Sequence, residues 1–261
     1  MVDNEASERY WRQLQIDGIG EEGQERLKAA RVVIAGAGGL GSVVSIYLAI
    51  AGVGEIRIID HDTVEMSNLN RQILYGDSDV GQKKAEIALR KLKTLNPDVT
   101  VKAVTELITE KNAAELFGDV DAIVDAMDNI PTRYVLNKIA VANRVPLFHG
   151  AVRGFEGRAT TIIPGKTACL KCIYPRLPQP EITPVIGVAP AVIGSIQATE
   201  VIKYFVGIGQ LLTNRLLVYD GRSMEFMEVK LEKHSDCEVC RHIRANKLNN
   251  ERDGQASSLF E

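Results

Sequence analysis

Residues Val32 to Asp60 limit what this chain can fold into more than any other stretch. Val32-Val33-Ile34-Ala35 leads into Gly36-Ala37-Gly38-Gly39-Leu40-Gly41. Val43, Val44, Tyr47, Leu48 and Ala51 then recur at helical spacing, and a second apolar run, Ile56 to Ile59, ends on Asp60. That order predicts a strand, a glycine turn, a helix and a parallel strand with an acid at its tip. In G-x-G-x-x-G, Gly36 permits the tight turn, Gly38 lets backbone approach a phosphate, and Gly41 lets helix and strand pack closely. The first N–H groups of the helix and its positive dipole end favour an anion. Asp60 lies nineteen residues past Gly41, where a carboxylate can reach ribose hydroxyls. The stretch specifies an adenine-nucleotide site and leaves NAD, FAD and ATP open. A packed βαβ unit with a chance glycine turn is the plainer alternative, disfavoured by the acid in register.

Strand and helix patterns alternate through the first half of the chain. Helical patterns cover Glu5–Leu14 and Glu21–Ala30, with Asp17-Gly18-Ile19-Gly20 as the turn between them. In Gly81–Leu95, the residues Ala85, Ala88, Leu89, Leu92 and Leu95 form one apolar face. Val99–Val104 reads as a strand, Glu110–Phe117 as a helix and Val120–Val124 as a buried strand closing on Asp125-Ala126-Met127-Asp128-Asn129. Pro131 starts a helix, and Val145–Ala151 is a further strand. This alternation predicts an α/β fold with a doubly wound, mostly parallel, Rossmann-like sheet, whose ligands bind beyond the carboxyl ends of the strands. Beyond residue 151 the pattern changes. A strand at Gly157–Ile163, a crossing loop with five prolines from Tyr174 to Pro190 and a helix at Ala191–Phe205 follow. The apolar face expected for that helix is Val192, Ile196, Thr199, Ile202 and Val206. Arg215–Asp220 and Glu225–Val229 read as an antiparallel pair that extends the sheet. The expected organisation is N-terminal helices over 1–30, a nucleotide-binding domain over 31–245 and a mobile tail over 246–261. Within that domain the nucleotide half is 31–151, and 152–245 carries the crossing loop and cysteines.

Composition excludes some classes. A formal net charge of −3 over 261 residues gives no nucleic-acid or membrane footprint. Residues 1–30 are mixed in charge and do not read as a secretory signal. The longest uncharged run, Ile182–Thr199, carries Pro184, Pro190, Gly187 and Gly194 and does not read as a membrane span. A cytoplasmic protein is expected. In that compartment the four cysteines, paired as Cys169/Cys172 and Cys237/Cys240, suggest metal rather than disulfides. Four thiolates make the tetrahedral sulfur site that Zn²⁺ prefers, with no open position, so the role is structural. Buried free thiols and a redox pair are the alternatives. If all four bind zinc, any catalytic thiol must come from another protein.

Three further groups bear on the nucleotide. Asp128 follows a buried strand, where a carboxylate is a natural Mg²⁺ ligand beside phosphates. Arg71, Lys84 and Gln72 offer cationic and donor groups for a polyphosphate. Lys83 and Lys84 stand at the wrong end of their helix for its dipole, which calls for an anion nearby. This set favours a triphosphate over a dinucleotide. Arg9 and Arg12, three residues apart, read by spacing alone as a solvated face.

Taken in order, the motifs resemble those of the MoeB/ThiF/HesA group of ubiquitin-activating-enzyme-like adenylyltransferases. They are R-Y-W-R-Q (Arg9–Gln13), G-A-G-G-L-G (Gly36–Gly41), I-D-H-D-T-V (Ile59–Val64), S-N-L-N-R-Q (Ser67–Gln72), V-G-Q-K-K (Val80–Lys84), D-A-M-D-N (Asp125–Asn129), both C-x-x-C pairs and G-S-I-Q-A-T-E (Gly194–Glu200). The resemblance implies ATP, Mg²⁺ and Zn²⁺. It places the nucleotide among Gly36, Gly38, Gly39, Gly41, Asp60, Ser67, Asn68, Leu69, Asn70, Arg71, Gln72, Lys84, Asp128 and Asn129. Within that set it gives Asp60 to the ribose, Asn68, Arg71 and Lys84 to the phosphates, and Asp128 to Mg²⁺. Arg12 becomes a finger reaching the phosphates from the other subunit of a homodimer. The implied reaction is adenylation of the C-terminal glycine of a small ubiquitin-like sulfur carrier ending in Gly-Gly. The crossing loop Glu181-Ile182-Thr183-Pro184-Val185-Ile186-Gly187-Val188 lacks the cysteine that some members carry there. A separate sulfurtransferase is therefore expected to receive the product. The rival readings are an NAD-linked oxidoreductase with His149 as its acid–base candidate, adenylation of a tRNA-bound carboxylate, and a nucleotide-binding scaffold without turnover.

Overall fold

The computed structural model describes residues 8–176 and 184–243. Glu181, Ile182 and Thr183 of the crossing loop, the tail from 246 and the first residues of the Glu5–Leu14 pattern lie outside the described residues. Eight strands form one sheet in the order β3-β2-β1-β4-β5-β6-β7-β8. They are β1 (Arg31–Ala35), β2 (Glu55–Ile59), β3 (Thr100–Val104), β4 (Ala122–Asp125), β5 (Leu147–Arg153), β6 (Glu156–Ile162), β7 (Arg215–Asp220) and β8 (Glu225–Lys230). The first five strands pair in parallel. The β5–β6, β6–β7 and β7–β8 pairs are antiparallel. The mostly parallel sheet with an antiparallel extension is thus as the sequence predicts.

Alternation along β1 explains why its sequence is apolar throughout. Val32 and Ile34 enter one core, and Val33 and Ala35 enter the other. A strand covered on both faces has no position to give to water. On the first face lie α2 (Gly20–Ala29), α3 (Gly39–Ile50), α4 (Lys84–Leu95) and α8 (Val188–Val206). On the second lie α5 (Ala113–Leu116), α6 (Ile130–Asn143), α7 (Leu170–Ile173) and the four cysteines. The short α1 (Trp11–Leu14) is fixed at the far end of α3, where the Asn96 amide donates to the Tyr10 hydroxyl at 2.7 Å.

Strand order reverses between β1 and β4, which opens a crevice beyond Ala35 and Asp125. The segment after Asp125 turns into α6 through Asn129, whose side chain caps the helix by accepting from the Thr132 N–H at 3.0 Å.

Three elements differ from expectation. The predicted helix at Glu110–Phe117 shortens to α5, because Asn112 accepts from the Thr109 N–H and hydroxyl, both at 2.8 Å, and becomes its N-cap. The helix α7 falls within the first cysteine pair, where no apolar period announces it. The inward face of α8 is centred on Ile193, Gly194, Gln197, Ala198, Val201 and Val206; of the expected row Val206 is buried, Val192, Ile196 and Ile202 pack half-buried at its side, and Thr199 is exposed. The reason is close approach. A Cβ at Gly194 would meet Val43 at 2.8 Å, and one at Gly157 of β6 would meet Ile193 at 2.2 Å. Gln197 is buried because its amide donates to the carbonyls of Asp125 and Phe148, at 2.8 and 2.9 Å. Small and polar residues take the tightest contacts, and a count of large apolar residues points to one side of that face.

At the other end of the sheet, all six residues of β8 are exposed. Among the described residues, no helix is long and apolar enough to cross a membrane.

Candidate nucleotide site and cysteine cluster

Gly36 takes φ +95°, and a Cβ there would lie 2.7 Å from the Ala126 carbonyl oxygen. A Cβ on Gly41 would fall 1.9 Å from the Gly36 carbonyl oxygen. Both positions therefore need glycine for packing alone. Gly38 differs, since the nearest atom to a Cβ there is the Gln72 amide nitrogen at 3.6 Å. Protein packing does not explain that glycine, whereas close approach of a ligand to the backbone would. Gly39 packs on Pro190 at the start of α8, with 3.1 Å from its Cβ position.

Asp60 stands directly under this turn. One carboxylate oxygen accepts from the Ala37 N–H at 2.7 Å, and the other from the Asp62 N–H at 2.8 Å. Each oxygen keeps a lone pair for a ribose hydroxyl. The Tyr75 hydroxyl bonds the Ala37 carbonyl at 2.8 Å and the Lys84 carbonyl at 3.3 Å, which joins the turn to the start of α4. Burial pushes its pKa up, so it stays a donor.

Lys84 is buried, and its ammonium meets the Asp62 carboxylate at 3.0 Å. The Lys83 ammonium donates to the His61 carbonyl at 2.5 Å. Asp62 is thus an anion for Lys84, while Lys83 takes a backbone carbonyl. That pairing was missed, although Asp62 stands in the same I-D-H-D motif as Asp60.

The segment 67–72 lies along the start of α8. A Cβ on Gly187 would meet the Asn70 carbonyl at 2.5 Å, and the Arg71 carbonyl lies 3.4 Å from the Cβ position of Gly39. The Arg71 guanidinium, half-buried, donates to the Ser67 carbonyl at 2.7 Å and to the Asn70 side chain at 3.0 Å. The buried Asn68 side chain accepts from the Glu65 N–H at 3.1 Å and so shapes the turn. The exposed Ser67 hydroxyl donates to Glu65 at 3.2 Å, and Leu69 packs against the core. Gln72 is buried with its Oε1 unpartnered, which leaves a buried polar atom beside the glycine turn.

Asp128 is exposed at the carboxyl side of β4, with the Asn129 amide 3.5 Å away. A carboxylate with no strong cationic partner beside a phosphate crevice fits Mg²⁺, which binds through one or two carboxylates plus phosphates. Asn129 is already engaged as the α6 cap. Contacts thus bring Gly36–Gly41, Asp60, Arg71, Gln72 and the start of α4 at Lys84 together, and Asp128 follows Ala126 and Met127, which lie against Gly36. Arg12 is not among them. It is exposed on α1, at the other end of the 12-residue α3, about 18 Å of helix away.

The cysteines meet on the second face. All four Sγ atoms lie within 4.8 Å of one another and all four residues are buried. Cys169 and Cys172 are 3.9 Å apart, and Cys169–Cys237 and Cys172–Cys240 are each 3.6 Å apart. A tetrahedron with Zn–S bonds of about 2.3 Å has edges of about 3.8 Å, so the donor set fits zinc. Burial pushes the Cys169 thiol up to about 11. Against burial, the N–H groups of Cys240 and Val239 bring Cys237 down to about 7. The Asn137 amide of α6 approaches Cys169 at 3.7 Å, and its oxygen accepts from the Leu170 N–H at 2.8 Å, which ties the cluster to α6. One zinc per chain is expected by elemental analysis. Cys172→Ser should lose it and unfold at a lower temperature, and a variant with unchanged zinc content would refute this assignment.

The model of the family described as "ThiF family" matches residues 10–239. The chain is 45% identical over 239 residues to the SAMP-activating enzyme E1 of Haloferax volcanii, covering 89% of this chain and 88% of that protein. It is 42% identical to the sulfur carrier protein adenylyltransferase of Thermus thermophilus, covering 90% and 91%. It is 39% identical to the adenylyltransferase and sulfurtransferase MOCS3 of Drosophila ananassae, of which it spans 54%. Among solved structures, E. coli MccB with MccA-N7isoASN superposes with a TM-score of 0.82 at 25% identity, over 92% of this chain and 76% of that one. E. coli MccB with ATP gives 0.79 at 26%, over 92% and 75%. With a glycine turn, an acid beneath it and a family match across nearly all the described residues, this chain belongs to the ThiF family of adenylyltransferases.

Proposed function

We propose that this chain uses ATP to adenylate the C-terminal glycine carboxylate of a small ubiquitin-like sulfur carrier, releasing pyrophosphate. The observation that carries the reading is the composition of the crevice. It offers a glycine turn, cations at Arg71 and Lys84, and the exposed Asp128 carboxylate. It offers no thiol, because all four cysteines of the chain sit together in the buried cluster on the other face of the sheet. The carrier carboxylate is already a nucleophile at neutral pH and needs no general base. One of its oxygens forms a bond to the α-phosphorus of ATP, the bond from that phosphorus to the bridging oxygen breaks, and pyrophosphate leaves with the electron pair. The acyl-adenylate remains in the crevice. Catalysis is then positioning and neutralisation of phosphate charge. Asp60 holds the ribose, Asn68, Arg71 and Lys84 face the phosphates, and the turn supplies N–H donors. Mg²⁺ held by Asp128 would draw charge from the phosphates.

The relatives' names support the substrate class, since they include a sulfur carrier protein adenylyltransferase. MOCS3 joins adenylyltransferase and sulfurtransferase in one name, and this chain spans only 54% of it. We assign the sulfur-transfer step to a separate protein because the four cysteines are gathered in one cluster and the crossing loop carries none. The oxidoreductase alternative loses its acid–base residue, because His149 is 1% exposed and locked on Asp125. A tRNA-bound substrate finds no favour in a net charge of −3.

Arg71→Ala and Asp128→Ala should each lower carrier-dependent exchange of labelled pyrophosphate into ATP by at least about a hundredfold, with unchanged circular dichroism. Near-normal exchange in both would remove the site assignment.

The placement of Arg12 supports a homodimer in which each Arg12 serves the partner's nucleotide. Its own crevice lies about 18 Å of helix away. A mixture of Arg12→Ala and Asp128→Ala proteins, each inactive alone, should recover up to about a quarter of normal exchange through mixed dimers with one intact site. No recovery after subunit exchange would put Arg12 outside the mechanism.

The exposed end of the sheet supports a docking face for the carrier. Phe226, Met227 and Val229 of β8, and Met224 in the turn before it, are each at least 50% exposed, and among the described residues the outer edge of β8 is unpaired. Phe226→Asp should raise KM for the carrier without changing the affinity for ATP. Equal KM values would place the carrier elsewhere.

A further inference from the structure

His149 is the buried titratable group that this reaction leaves without a task. It sits on β5 opposite Asp125 of β4, and both side chains are fully buried. The ring Nδ1 and Asp125 Oδ2 are 2.7 Å apart. Burial, opposed by the Asp125 hydrogen bond, lowers the His149 pKa, so the ring is neutral with its proton on Nδ1. Against the cost of burial, the charge of Arg133 and then the His149 hydrogen bond hold the Asp125 carboxyl below its usual range.

Asp125 carries the loop that presents Asp128. Its Oδ1 accepts from the Met127 N–H at 3.1 Å. The Arg133 guanidinium lies 3.7 Å from the same oxygen and donates to the Met127 carbonyl at 2.5 Å and the Gly150 carbonyl at 3.1 Å. Gln197 holds the Asp125 carbonyl from the other face of the sheet. Both polar groups of Met127, the residue before Asp128, are thus bound by the Asp125–Arg133 pair, and His149 is the donor that holds the other oxygen of Asp125.

A second feature indicates that His149 is not there for packing. Its Nε2, an acceptor in this tautomer, is buried without a hydrogen-bond partner. The Tyr174 ring stands edge-on to the imidazole at 5.7 Å. An unsatisfied buried nitrogen costs stability that a phenylalanine would not. The compensating gain is at Nδ1.

We propose that His149 is a positioning residue whose Nδ1–H fixes Asp125, and through it the Ala126–Asn129 loop, so that Asp128 meets the metal of the metal–nucleotide complex. The inference rests on the reading of Asp128 as the metal-facing carboxylate.

The test is Mn²⁺ binding to the enzyme loaded with a non-hydrolysable ATP analogue, read by electron paramagnetic resonance with no carrier present. His149→Phe keeps the bulk and removes the donor, and Mn²⁺ affinity should fall about tenfold, as for other outer partners of metal ligands. His149→Asn can return an N–H near the Nδ1 position and should bind within about twofold of the unaltered protein. Asp125→Asn keeps the shape and loses the charge, and should match the Phe variant, which serves if that variant does not fold. Unaltered affinity in His149→Phe, or equal loss in His149→Asn, would overturn the proposal. Asp128→Ala separates the two readings. If it too binds Mn²⁺ normally, the Asp128 assignment fails and takes the inference with it. If it binds weakly while His149→Phe does not, only the role of His149 fails.

Discussion

The molecule depends on one close backbone approach. Where β1 ends, Gly36 passes the Ala126 carbonyl, and the Gly41 position of α3 lies against the Gly36 carbonyl. No side chain fits at either point. This contact brings the ends of β1 and β4 and the start of α3 to one place, which is also where the strand order reverses. The turn is held from below by Asp60, which accepts from Ala37, and from the side by Tyr75, which bonds Ala37 and Lys84. The residues proposed for the nucleotide are therefore attached to the same few backbone groups. Strain or displacement at the turn would reach the base of α4 and the loop after β4 together.

Most of this architecture was readable from the residues, and the reasons are specific. β1 and β4 are buried on both faces, so their sequences are nearly continuous apolar runs of strand length. The glycine spacing reports a backbone geometry rather than a packing preference, and it survives translation into structure. The inner face of α8 was misread because Gly194 and Gln197, not the large apolar residues, make its closest contacts. The helix α5 is shorter than its pattern because the Asn112 side chain turns back to Thr109 and leaves the helix to start after it. In the site, the Lys84–Asp62 pair was half visible. Two lysines at a helix N-terminus demand an anion, but spacing alone cannot choose between a bound phosphate and a side chain two residues past Asp60.

That pair bears on how a polyphosphate would be received. Each candidate cation already has an internal acceptor: Asp62 for Lys84, and the Ser67 carbonyl and Asn70 for Arg71. Such groups are placed before the ligand arrives, so little reorganisation is left to oppose binding. The acceptors at Arg71 are neutral and exposed, and phosphate oxygens are stronger ones. Arg71 can turn to a phosphate at small cost, whereas Lys84, buried against a carboxylate, acts more as fixed positive potential than as a mobile contact.

The cysteine cluster belongs to the same argument although it lies on the other face of the sheet. Asn137 bonds both Cys169 and the Leu170 N–H, and it sits two turns along α6 from the Asn129 cap. Tyr174, two residues past Cys172, packs on His149, and its carbonyl accepts from the Tyr134 hydroxyl of α6. A metal-closed cluster would thus fix α6 from its middle while the Asp125–Arg133 pair fixes its entry. The loop carrying Asp128 joins the end of β4 to that fixed helix and is only four residues long, Ala126 to Asn129. A carboxylate on so short a span has few ways to miss its target. This gives a physical reason for a catalytic domain to keep a four-thiolate site that has no open position for chemistry.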